Sequence, residues 1–281
     1  MQLRKAGCVF AEDEAAVLSE AATDAAHLSA LVERRVQGEP LEQVVGYADF
    51  CGVRVRLRPG VFVPRVRSEL LVHTALTELT EKAEQSEKAE QSEKAKQSDK
   101  AEQSDKEAGR TVVDLCCGSG ALGLAVRLKA PTIHLLAADS DPAAVACALA
   151  NLGGNVFQGD LYTALPDSLR GRIDLLLANV PYVATDHIPL LPAEARLHEP
   201  RTALDGGPDG LDVFRAVVAA APGWLAPGGL LLSEITEAQT GAAVAAVRAA
   251  GLLPAVVRDE DLEAWVVTAR RPELPGVTGL R

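Results

Sequence analysis

Along the first part of the chain, Val17, Leu18, Ala21, Ala25, Leu28, Leu31 and Val32 recur at helical spacing within residues 11–37, with charge on the opposite side. One long helix or two short ones would fit this pattern, and Gly38-Glu39-Pro40 ends it. Alternation takes over from Val44 to Leu57. Tyr47, Phe50, Val53, Val55 and Leu57 flank Cys51-Gly52 and predict a hairpin. A helix is predicted from about Ser68 to Leu79. Residues 81–107 then repeat Glu-Lys-Ala-Glu-Gln-Ser with a period of six and Ala as the only apolar member. That period fits neither a heptad nor a helical stripe, so the segment reads as a solvated, charged spacer, helical at most transiently through its charge pairs.

From Thr111 the pattern changes again. Thr111–Leu115, Ile133–Ala138, Ile173–Ala178 and Gly229–Leu232 are short apolar runs, and Asn155–Gln158 is a weaker one. Helix-length stretches at about 121–129, 141–150, 210–221 and 237–250 lie between them. Continuous apolar strands alternating with helices predict a doubly wound, mostly parallel α/β sheet. Two last runs, Leu252–Val257 and Ala264–Ala269, follow one another without a helix and predict an antiparallel edge hairpin.

Charge narrows the range of partners. The formal net charge is −11, and an acidic chain repels phosphate backbones, which argues against a nucleic-acid substrate. The conspicuous arginines, Arg54, Arg56, Arg58, Arg65 and Arg67, lie on the hairpin and just after it, where the alternation Arg54-Val55-Arg56-Leu57-Arg58 reads as a solvated strand face. Five cysteines without Cys-x-x-Cys spacing and five histidines without a ligand pair predict neither a disulfide framework nor a metal site. With no signal-like apolar run near Arg4 and Lys5 and no membrane-length stretch, the expected location is the cytoplasm, with no membrane partner.

Two constellations carry chemistry. The first is Asp114-Leu115-Cys116-Cys117-Gly118-Ser119-Gly120, which ends a strand and opens a helix, where glycines let the backbone approach a ligand. The turn reads as Gly-x-Gly without the third glycine of the dinucleotide fingerprint, and no Gly-Lys-Ser/Thr of a phosphate loop is present, so a phosphate ligand is not expected. Asp139 follows at the next strand end, about twenty residues later, where an acid accepts both hydroxyls of a ribose. Asp160 ends the weak strand near the place of an adenine edge, and Leu161 beside it covers the ring. Acids at successive strand ends beside Gly-x-Gly describe a nucleoside without phosphates, which suits S-adenosylmethionine. The adjacent cysteines fill the turn and lack a base to activate them.

The second is Asn179-Val180-Pro181-Tyr182, directly after a buried strand. An amide or aryl-amine nitrogen is a poor nucleophile because its lone pair is delocalised. The Asn179 side-chain oxygen and the Val180 carbonyl would accept its two N–H hydrogens and hold the lone pair toward a methyl group. Tyr182 offers a face for the planar group and the sulfonium.

On these residues the sequence resembles the protein-(glutamine-N5) methyltransferases that modify class 1 peptide release factors. The likeness spans about residues 28–79 and 110–270. It is carried by Gly38-Glu39-Pro40-Leu41 through Gly46, Phe50-x-Gly52, Pro59 to Arg65, Glu69, Asp114 to Gly120, Asn179 to Tyr182, and Glu199-Pro200 with Ala203-Leu204.

The resemblance implies a Rossmann-like class I fold with a seven-stranded sheet, and S-adenosylmethionine as cofactor. Phe62 would line the glutamine pocket with Asn179 to Tyr182, and Gly118, Gly120, Asp139 and Leu161, with the rest of the loop, Asp160 and Asn179, would hold the cofactor. It also implies a protein substrate, a release factor, held by an N-terminal helical segment. The chain then divides into residues 1–45 for recognition, 46–80 for hairpin and linker helix, the spacer 81–107, and the methyltransferase domain 108–281.

Four features depart from the family. Val180 stands for Pro, Cys116 for the loop's first glycine, Val66-Arg67-Ser68 for Pro, an acid and Thr, and the N-terminal segment is short. Adenine-N6 methylation of nucleic acid, which shares the four-residue acceptor motif, and a non-catalytic binding protein that keeps the fold are the alternatives.

Overall fold

The computed structural model describes residues 2–94 and 109–273, excepting the side chains of 86–94. The N-terminal part folds as α1 (Gln2–Lys5), α2 (Ala11–Ala21), α3 (Ala25–Val36) and α4 (Leu41–Val45). Of the two readings of residues 11–37, the two-helix one holds, because Asp24 accepts the His27 N–H at 2.8 Å and starts a new helix. Leu3, Leu18, Leu31 and Val44 close a small core of their own. The hairpin is shorter than expected, β1 (Tyr47–Phe50) and β2 (Val53–Arg56), since Val44 belongs to α4, a helix too short to show a period.

α5 (Glu69–Lys94) runs past the predicted end at Leu79 and into the hexapeptide repeat. Buried Leu71, Val72 and Ala75 anchor its first turns. Once those exist, each added residue needs only propagation, for which an apolar stripe is not required. Lys82 pairs with Glu78 one turn back and donates to the Gly228 carbonyl at 2.8 Å. The spacer's residues 95–107 lie outside the described residues.

The remainder alternates as β3 (Thr111–Leu115), α6 (Ala121–Lys129), β4 (His134–Asp139), α7 (Pro142–Leu152), β5 (Val156–Gln158) and β6 (Ile173–Ala178). After it come α8 (Ala193–His198), α9 (Asp212–Ala220), β7 (Leu225–Ile235), α10 (Thr240–Ala249), β8 (Leu253–Asp259) and β9 (Ala264–Arg270). The seven strands lie in the order β5-β4-β3-β6-β7-β9-β8, with β9 antiparallel to both neighbours. This is the Rossmann-like class I methyltransferase arrangement, with the C-terminal hairpin at one edge.

Side chains of successive strand residues enter opposite layers. Val113, Leu176 and Leu231 pack with Phe214 and Val247, of α9 and α10. Val112, Leu175 and Leu177 pack with Leu71, Ala125 and Ala148, of α5, α6 and α7. Each such buried leucine contributes about 2 kcal/mol. Strand order reverses between β3 and β6, and in an open α/β sheet the crevice beyond the strands' C-terminal ends at that reversal is where ligands bind. Both constellations found in the sequence lie there. Among the described residues no helix is long and apolar enough to cross a membrane.

Candidate active site

Backbone amides build the first half of the site. Beyond β3 the chain turns through Cys116, Gly118 and Gly120, all in the left-handed region at φ 57°, 55° and 76°. Cys116 adopts there what a glycine takes freely, a conformation that costs about 1–2 kcal/mol in an L-residue. The two glycines of the turn serve different ends. A Cβ on Gly118 would meet nothing within 4 Å, whereas one on Gly120 would sit 2.9 Å from Leu152 of α7. Gly118 therefore leaves space beside the cavity, and Gly120 lets α6 and α7 close. The third glycine expected to be missing is in fact present, since Gly123 completes the Gly-x-Gly-x-x-Gly spacing. Its absent side chain admits Leu135 and the Asp114 carboxylate, which a Cβ would approach to 3.2 and 3.1 Å.

Asp139 ends β4 and accepts the Gly118 N–H at 2.8 Å on one oxygen and the Asp141 N–H at 2.9 Å on the other. Burial pushes its pKa up against those two bonds. Each oxygen keeps a lone pair for a ligand hydroxyl. Asp160 makes no side-chain bond to the helical turn it begins, and Leu161 follows at φ 45°, again left-handed. The Cys116 and Cys117 thiols are both pushed up by burial first and by neighbouring aspartates next, so they stay neutral and poorly nucleophilic.

Asp114 differs from its expected place. It is fully buried beneath the turn, accepting the Gly123 N–H at 2.9 Å on Oδ2, and among the described residues Oδ1 has no partner. It is not among the cavity-lining residues. Burial raises its pKa to about 7, the Gly123 N–H opposing.

Side chains from distant segments build the second half. Asn179 Nδ2 donates to Ser68 Oγ at 3.0 Å, and Ser68 donates to Glu234 at 2.5 Å. Tyr182 donates its hydroxyl to the other oxygen of Glu234 at 2.7 Å. Burial, then the Glu234 charge, pushes the Tyr182 pKa up, so the phenol keeps its proton. Gln239 donates to the Tyr182 carbonyl at 2.9 Å, and Gly206 and Gly210 bring a second loop against Pro181 and Tyr182 more closely than any side chain would allow. Among the described residues no protein donor reaches Asn179 Oδ1 or the Val180 carbonyl. Phe62 lies under the Arg65 guanidinium, 5.0 Å from the ring centre. Arg65 binds both oxygens of buried Glu199, which also accepts the Val63 N–H at 3.2 Å.

A cavity of about 400 Å³ joins the halves. Cys116, Cys117, Gly118, Ser119, Asp139, Asp160 and Leu161 line it on one side, and Phe62, Asn179, Val180, Pro181 and Tyr182 on the other. Gly120, like Asp114, stands behind this wall. The sequence-level reading missed Ser68, Glu234 and Gln239. Glu234 carried a signal, an acid within an apolar strand, but nothing in the sequence said what it faced. Open space at Gly118, spare lone pairs on Asp139 and an Asp160 carboxylate that does not cap its own helical turn fit a nucleoside whose hydroxyls and ring edge need acceptors.

Residues 101–208 match the Methyltransferase small domain family. The release factor glutamine methyltransferase of Geobacter sulfurreducens is 34% identical over 210 residues, 73% of this chain and 63% of the relative. The chain therefore spans slightly less than two thirds of that relative's length. The enzyme of the same name from Cereibacter sphaeroides is 34% identical over 256 residues, 88% of this chain and 80% of the relative. A solved protein-(glutamine-N5) methyltransferase from Alicyclobacillus acidocaldarius is 20% identical, with a TM-score of 0.43, covering 75% of this chain and 94% of that one.

Proposed function

The chain belongs to the release factor glutamine methyltransferase family, and we propose that it transfers a methyl group from S-adenosylmethionine to the side-chain amide nitrogen (N5) of a glutamine in a peptide chain release factor. The observation that carries this reading is the pair of acceptors at the end of β6, Asn179 Oδ1 and the Val180 carbonyl, unengaged among the described residues, opposite the half of the cavity lined by Gly118, Asp139 and Asp160.

S-adenosylmethionine, when bound, supplies a methyl group on a sulfonium whose S–C electron pair returns to sulfur as the new N–C bond forms. Asp139 would hold its ribose, Asp160 its adenine edge, and Leu161 the face of the ring. The loop from Cys116 to Ser119 would pass close to the rest. Asn179 Oδ1 and the Val180 carbonyl would each accept one N–H of the glutamine amide. This orients the nitrogen lone pair and draws charge off the nitrogen as it becomes positive, so both bonds strengthen in the transition state. The methylated nitrogen already bears a positive charge, and its surplus proton leaves to water without a strong base. Val180 supplies the same carbonyl that a proline would. Phe62, Pro181 and Tyr182 would close the apolar sides of the amide.

The N-terminal helices would hold the protein substrate. Arg35 of α3 pairs with Glu14 of α2 and also with Glu194, a residue of the cavity wall, so this module connects directly to the acceptor half. A substrate used in translation places the reaction in the cytoplasm.

Mass spectrometry of a release factor incubated with the enzyme and S-adenosylmethionine tests this reading. One added methyl group on a glutamine is expected. Methyl label confined to nucleic acid, or donor binding without any transfer, contradicts it.

A further inference from the structure

The side chain of Glu234, which follows Ser233 near the end of β7, is only 2% exposed. A buried carboxylate without donors is strongly disfavoured. Here Ser68 Oγ, Tyr182 Oη and Arg67 Nε reach it at 2.5, 2.7 and 3.2 Å. Ser68 and Tyr182 lie 166 and 52 residues away in sequence, and both belong to the wall of the acceptor half.

We infer that Glu234, acting through Ser68, is a positioning residue that sets which end of the Asn179 amide faces the acceptor nitrogen. The inference rests on the amide-methylation reading above.

A serine hydroxyl has one hydrogen and a carboxylate only accepts. Ser68 gives its hydrogen to Glu234 and so meets Asn179 with a lone pair. Only Nδ2 can stand against that lone pair, and it does so at 3.0 Å. Oδ1 therefore turns away from Ser68, with no protein partner among the described residues, in a residue that lines the cavity. The two ends of an amide have nearly the same shape, so packing alone does not choose between them. A flipped Asn179 would set its N–H hydrogens against those of the glutamine and its oxygen against the Ser68 lone pair. Both contacts are unfavourable, and each orientation error would abolish the acceptor pair. The same carboxylate also holds Tyr182, so one buried group fixes two sides of the acceptor wall.

The consequence reaches specificity. Two acceptors select a glutamine amide and repel a glutamate carboxylate of the same shape, whereas a flipped asparagine would offer donors to the carboxylate.

The test compares wild type with Ser68→Ala, Ser68→Thr and Glu234→Gln, using a release factor as substrate and the same protein with its target glutamine replaced by glutamate as inhibitor. For Ser68→Ala, kcat should fall by roughly tenfold or more, while the Kd of S-adenosylhomocysteine changes by less than about twofold. Preference for the glutamine form over the glutamate form should fall by about tenfold. Ser68→Thr, which keeps the hydroxyl, should recover most of both losses. Glu234→Gln can donate to Ser68 and turn its hydrogen toward Asn179, so it should resemble Ser68→Ala in kcat and in preference.

Thermal melting separates these effects from unfolding, and the preference ratio is unaffected by uniform loss of active protein. A Ser68→Ala enzyme with rate and preference both within about twofold of wild type overturns the inference alone. A lower rate with unchanged preference also overturns it, because loosened packing weakens both forms equally. A wild type that leaves the glutamine unmethylated overturns the functional reading, and this inference with it.

Discussion

The two halves of the cavity are assembled by different means. The donor half lies within one stretch of chain, from Cys116 to Leu161, and the main chain makes its key bonds: Gly118 and Asp141 donate backbone N–H groups to Asp139. The acceptor half unites Ser68, Asn179 and Glu234 from three distant segments, and side chains make its bonds. A site written in backbone conformation tolerates changes of side chain, and the left-handed Cys116 in place of glycine is an instance. A site written in side-chain hydrogen bonds loses its geometry with a single atom. Substitutions in the donor half should therefore act on donor affinity, and those in the acceptor half on turnover.

Asn179→Ala gives the largest effect, since it removes an acceptor that strengthens in the transition state. Steady-state assays should show kcat down by roughly 1,000-fold, with donor affinity changed by less than about threefold. An equal loss in donor affinity would erase the contrast between the halves.

Asp139→Ala is its counterpart. It takes away the acceptor of the Gly118 N–H and the proposed ribose contact, so calorimetry should find donor affinity down by about 10–100-fold. Turnover at saturating donor should remain within about fivefold of wild type.

Within the donor half, the two glycines of the turn should part company. Gly120→Ala forces a methyl group against Leu152 and α7 in a left-handed residue, and denaturant unfolding should show a loss of about 2–4 kcal/mol. Gly118→Ala has the space and bears only the backbone strain of about 1–2 kcal/mol. Its methyl group would stand beside the cavity, where it should weaken donor binding.

The smallest effect concerns Asp114. In the folded protein its carboxyl keeps the proton up to about 7, because burial outweighs the Gly123 N–H. The unfolded chain releases it near the ordinary value of about 4. Its contribution to stability is thus complete below about pH 4 and is lost as pH rises through about 7. Asp114→Asn removes this loss. At pH 8 the variant should melt about 2–5 °C above wild type, and the two should converge toward pH 4. Parallel melting curves across this range would show that the buried carboxyl finds a partner when charged.

The same distinction governs what the sequence revealed. β3 and β6 were legible to the residue, because continuous apolar runs bounded by polar ones define a buried parallel strand. β7 spans Leu225–Ile235, longer than the run Gly229–Leu232 that the apolar pattern predicts. The register irregularity opposite Ile173–Leu175 and the left-handed Gly228 break its pattern early, and buried Glu234 disguises its end. α5 likewise outruns the apolar residues that predict it, since helix continues into the charged repeat as far as Lys94. In the site, the Gly118 turn, Asp139 and the Asn179–Tyr182 run were visible because each is a local signature. Ser68 and Glu234 were not, since their meaning is a hydrogen bond spanning 166 residues. Asp114 lay within a recognisable motif, yet its depth beneath the loop depends on how α6 packs, which no motif conveys.

The central claim is that a glutamine amide docks on two oxygen acceptors at the end of β6. A crystal structure of the enzyme with S-adenosylhomocysteine and a release factor tests it most directly. The account predicts the glutamine Nε2 within about 3 Å of both Asn179 Oδ1 and the Val180 carbonyl, with Asn179 Nδ2 still on Ser68. An ordered glutamine bound in the closed cavity with Asn179 Oδ1 turned away from it would contradict the account.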